Sequence, residues 1–162
     1  MSNRTRAGLP FRQEEWDLLV RLPGRVVVAA TSAQSDTPRR TVSEGLAGID
    51  AIAAGRASSS RLVRGIVDTI DERADNDPPA AEEFSDPAAG IADVLDACRA
   101  ATGVLSGCLD PGDSEAYRQW IASIAVQVCG ESRSGGVLGA GGTRVSPAER
   151  RFLDDLTAAL AD

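Results

Sequence analysis

The segment Ser134-Gly-Gly-Val-Leu-Gly-Ala-Gly-Gly-Thr143, flanked by Arg133 and Arg144, is the part of this 162-residue chain best suited in composition to hold an anion. Glycines let backbone N–H groups converge, and a following helix would offer its positive N-terminus. An anion site here would use Ser134, Gly135, Gly136, Gly139, Gly141, Gly142 and Arg144. The competing reading is structural, with the glycines supplying positive φ and Val137 and Leu138 plugging a helical bundle. That reading is favoured. No strand precedes the segment, no Gly-Lys-Ser/Thr follows it, and Ser146 and Glu149 are placed to occupy the free amides of the next helix.

Carboxylates form the second candidate. Asp68, Asp71, Glu72 and Asp75 recur at helical spacing, with Asp77, Glu82, Glu83 and Asp86 beyond them. Hard divalent cations want oxygen clusters. However, acids along one helix point outward rather than converging, and no calcium-loop pattern is present, so a solvated face is the expectation. Asp110, Asp113 and Glu115 resemble a turn-type ligand set, yet Asp113 or Ser114 is better explained as a helix N-cap. Asp93 and Asp96 are an i, i+3 carboxylate pair with nothing to mark them as buried.

What is missing narrows the chemistry further. The chain has no histidine, which removes Ser-His-Asp triads, Cys-His pairs and His-ligated zinc. It has no lysine, which removes Schiff-base chemistry and the P-loop lysine. Cys98, Cys108 and Cys129 form no C-x-x-C pair and read as buried free thiols; Cys108, in a Ser-Gly-Cys turn, is the best candidate for a reactive one. A carboxylate-only enzyme has no positive support, no catalytic residue is assigned, and no cofactor is implied. Trp16 and Trp120 fit apolar stripes and read as core anchors.

The charge balance of 17 arginines against 24 carboxylates is −7. Such a chain lacks the positive field that draws proteins to nucleic acid or anionic lipid, so neither is an expected partner. Residues 1–12 hold no apolar run of signal-peptide length, and no stretch approaches the ~20 apolar residues of a membrane helix. The expected location is cytoplasmic.

The elements that would position these groups are all helical. A loose N-terminus over 1–10 precedes a single helical domain over 11–162. Phe11 opens the first helix, Trp16, Leu19 and Val20 share its face, and Pro23-Gly24 closes it. The run Arg25–Thr31 has strand propensity, but no other β-branched run exists to pair with it, so a short buried helix is expected. From about Val42, Leu46, Ile49 and Ala53 keep one apolar face, while Gly45, Gly48 and Gly55 allow a tight crossing. Ser58-Ser59-Ser60 caps the next helix, with Leu62, Val63, Ile66, Val67 and Ile70 inward. Asp86-Pro87 starts a long helix, ended by Ser106-Gly107, with Ile91, Val94, Leu95, Cys98 and Leu105 as its stripe. After an Asp110–Asp113 turn, Tyr117, Trp120, Ile121, Ile124 and Val128 form the clearest periodicity in the chain. Ser146-Pro-Ala-Glu149 is a capping box that launches a last helix carrying Phe152, Leu153, Leu156 and Leu160. The expected class is all-α, a single-domain bundle of six to seven helices.

The segment Glu131-Ser-x-Ser-Gly-Gly-x-Leu-Gly-x-Gly-Gly-x-Arg-Val-Ser-x-x-Glu149, with Glu14-Glu15-Trp16, Leu22-Pro23 and Asp110-Pro111-Gly112, is similar to the pattern of uncharacterised bacterial helical proteins. The chain also resembles tellurite-resistance-type (TerB-like) helical domains. That resemblance implies a helical fold and a partner-binding role, and in the family acidic loops are thought to take divalent metal. Here Ser35-Asp36-Thr37-Pro38-Arg39-Arg40 replaces the Asp-Gly loop expected after the second helix, so the metal role does not carry over. The functional expectation is a non-catalytic module acting by protein–protein contact or self-association, with a homodimer as one form. A small-ligand binder for an anion or divalent metal, or a carboxylate-based enzyme, are the alternatives.

Overall fold

Proline stands first in four of the helices described below, where its missing N–H removes one of the amides a helix start leaves unbonded. The computed structural model describes residues 9–33, 38–74, 87–107, 110–131 and 145–161. Over these the chain forms α1 (Gln13–Ser32), α2 (Pro38–Ala53), α3 (Arg61–Ala74), α4 (Pro87–Leu105), α5 (Pro111–Glu131) and α6 (Pro147–Ala161). A 3-10 turn, Ala54–Ala57, joins α2 to α3, and there is no strand among the described residues. The fold is all-α.

Helix α1 is the main departure from the sequence reading. The two helices expected on either side of Pro23-Gly24 are one continuous helix, with Pro23 inside it. An interior proline cannot donate to the carbonyl four residues back, here Leu19. That carbonyl is supplied from elsewhere: the Tyr117 hydroxyl of α5 donates to Leu19 O at 2.9 Å in the interior. A partner 98 positions along the chain therefore satisfies the group that Pro23 leaves open. Leu19, Leu22, Val26 and Ala29 are fully buried along this helix, which packs on α2, α3, α4 and α5. Its start is stapled: the Phe11 and Trp16 rings lie 6.2 Å apart, and the Glu15 carboxylate accepts the Arg12 N–H at 2.8 Å. Leu9, expected in a loose terminus, packs against the core.

Helix α2 turns the other way from expectation. Leu46 and Ile49, assigned to an inward apolar face, are 59% and 62% exposed. The residues facing in are Glu44, Gly48 and Ala51, followed by Gly55 in the 3-10 turn. Size decides this. A Cβ on Gly48 would stand 2.5 Å from Val27 Cγ1 of α1, and one on Gly55 would stand 2.8 Å from the Trp120 indole. The Val27 and Trp120 side chains occupy the space a Cβ would need, so glycine is what fits at these two positions. Gly45, by contrast, faces open space. Trp120 uses the room at Gly55 to donate its indole N–H to Ala51 O, 3.3 Å away, at the C-terminal end of α2.

The remaining ends follow side-chain capping closely. Ser60 Oγ accepts the Val63 amide at the start of α3 and donates to Asp113 Oδ1 at 2.5 Å, which ties α3 to α5. Helix α5 starts earlier than expected: Asp110, not Asp113 or Ser114, caps it by accepting the Gly112 amide at 2.8 Å. Asp110–Asp113 is thus the cap and first turn of α5, not a separate turn. The Ser146/Glu149 capping box forms in both directions, at 2.8 and 3.2 Å. At the far end of α6, the Thr102 hydroxyl of α4 lies 3.3 Å from Ala159 O. The stripe Tyr117, Trp120, Ile121, Ile124 and Val128 is buried throughout, and each large apolar side chain there contributes ~1.5–3 kcal/mol on removal from water.

Candidate functional site

With its small face inward, α2 is left presenting Leu46 and Ile49 to solvent. Leu46 and Ile49 lie one turn apart on it, and Val126 of the adjoining α5 is 56% exposed. The two helices share a shallow open hollow, lined by Ser43, Leu46, Ala47, Asp50 and Gln127. Leu46, with Ile49 one turn along, gives α2 an apolar strip that borders this hollow, where Asp50 is the single carboxylate. Single exposed aliphatics are ordinary on protein surfaces, but grouped ones mark contact sites more often. Sequence reasoning missed this strip. Leu46 and Ile49 were visible as a pair, and Gly48 between them was the signal that the pair faces outward.

A second grouping is interior. Glu44 of α2, Cys129 of α5 and Glu149 of α6 are all buried, and the two carboxylates act electrostatically on the thiol. Burial first, then the Glu149 and Glu44 charges, push the Cys129 thiol up to about 12. Burial likewise pushes Cys98 to about 12, and neither thiol is in a disulfide. Neither is a thiolate at neutral pH, so neither is a nucleophile in the folded state. Glu149 also serves the start of α6 by accepting the Ser146 amide.

The other candidates separate when placed on the fold. The anion segment, Ser134, Gly135, Gly136, Gly139, Gly141, Gly142 and Arg144, lies outside the described residues, as does Cys108. Asp75, Asp77, Glu82, Glu83 and Asp86 lie outside them too. Asp68, Asp71 and Glu72 form an exposed face of α3, and Asp71 pairs with Arg56. Asp93 and Asp96 are exposed, with Asp96 2.7 Å from Arg99. Asp110 caps α5, Asp113 accepts the Ser60 hydroxyl, and Glu115 accepts from Gln119 at 2.9 Å, so the three do not converge. Among the described residues, no three His, Cys, Asp or Glu side chains are grouped to hold a metal ion, and no helix is long and apolar enough to cross a membrane. Trp16 and Trp120 are both in the core, as their spacing implied.

No family model matches this sequence, and no curated protein or solved structure is significantly similar to it.

Proposed function

We propose that this protein works by reversible contact with another protein surface rather than by turnover, and that the occupant of the α2–α5 strip is a second copy of the same chain. The observation that carries the reading is the outward placement of Leu46 and Ile49 on α2, bordering α5. Two considerations favour a second copy. Two chains of net charge −7 repel each other over most approaches, and a strip whose hollow is lined by Ser43, Ala47, Gln127 and a single carboxylate, Asp50, keeps that repulsion low. The same strip on both partners can also meet itself about a two-fold axis.

Its size sets the strength. A 16-residue helix is ~24 Å long, and two helices side by side span ~20 Å, which offers roughly 500 Å² per partner. A standard stable interface uses ~800 Å² per partner, so the pairing belongs to the weak, exchanging class. A partner-binding role is also what the TerB-like resemblance implies. A cytoplasmic setting suits Cys98 and Cys129, neither of which is in a disulfide.

Sedimentation from ~10 μM to ~1 mM tests the proposal, over the concentrations at which weak interfaces associate. The average mass is expected to climb from 16.8 kDa toward twice that value, and the double variant Leu46→Glu/Ile49→Glu to stay monomeric with unchanged far-UV dichroism. A wild-type chain that remains monomeric throughout, or a variant that associates equally well, overturns it.

A further inference from the structure

We draw no further inference here: the strongest candidate outside the α2–α5 strip, the buried carboxylates Glu44 and Glu149 around the Cys129 thiol where α2, α5 and α6 meet, is an acidic cluster about a single cysteine, and nothing among the described residues points to a ligand for it.

Discussion

Replacing Tyr117 by Phe removes one oxygen and leaves the Leu19 carbonyl, already denied its helical partner by Pro23, without a donor. The bond is 2.9 Å long and Tyr117 is completely buried, so water cannot substitute. Burial also holds the hydroxyl well above its ordinary pKa, which keeps it a neutral donor wherever the protein is folded. A buried acceptor stripped of its partner costs about 1–3 kcal/mol, so Tyr117→Phe is expected to destabilise by ~2 kcal/mol. For a domain of this size that is a fall in Tm of roughly 4–8 °C. The reasoning is sharper in a cycle. Pro23→Ala restores an N–H aimed at Leu19 O, so in that background Tyr117→Phe loses one bond without orphaning the carbonyl. The cost should then shrink to about 0.5–1 kcal/mol, whatever Pro23→Ala does alone. Urea titrations of the four proteins, followed by far-UV dichroism, measure the difference. Distant independent sites add within ~0.3–0.5 kcal/mol, so a Tyr117→Phe cost equal in both backgrounds to that precision refutes the link between Pro23 and Tyr117.

Two glycines, one in α2 and one in the 3-10 turn, should respond oppositely to alanine. Gly55→Ala drives a methyl into Trp120 and Val67 and should cost ~1–3 kcal/mol, whereas Gly45→Ala meets open space inside α2 and should gain up to ~1 kcal/mol; thermal melts separate them by sign. Burial alone would raise the Asp17 carboxyl, but bonds from Arg73 and Gln13 outweigh it and hold the group below the usual carboxylate value. A lowered folded pKa contributes stability that is present above the ordinary value near 4 and is lost as pH falls through the folded one. Arg73→Ala should therefore flatten the stability profile below about pH 5. Because Arg73 and Asp17 are 40% and 33% exposed, the loss at neutral pH should stay within about 1 kcal/mol. Finally, in a Cys108→Ser background, Cys98 and Cys129 should react with a thiol reagent at pH 8 only as fast as the protein unfolds; rapid labelling of either in native buffer would show that their burial is misjudged.

Features decided by neighbours in sequence were legible in advance. The Ser146/Glu149 box, the Ser60 cap and the Tyr117–Val128 stripe rest on spacing and local hydrogen bonding, and each appears in place. What could not be read locally depended on distant partners. Pro23 breaks an isolated helix, and only a tyrosine on another helix makes continuity affordable for α1. In α2, hydrophobicity pointed Leu46 and Ile49 inward, but the closeness of Val27 and Trp120 made volume the deciding quantity and turned Gly48, Ala51 and Gly55 to the core instead. The candidate strip was therefore present in the sequence as residues yet hidden as a surface. Among the acids, Glu44 escaped notice because it shares the helical face of those small residues, a face that composition alone marks as exterior.

The place of α1 among its neighbours bears on how the chain is made. The four helices that α1 packs against are all encoded after it. Tyr117 trails Leu19 by 98 residues, an interval of roughly 5–20 s at ordinary elongation speeds. Until α5 emerges the nascent α1 can dock only on α2, α3 and α4, and its Leu19 carbonyl waits for the donor that completes the helix, so the burial of α1 is finished late in synthesis.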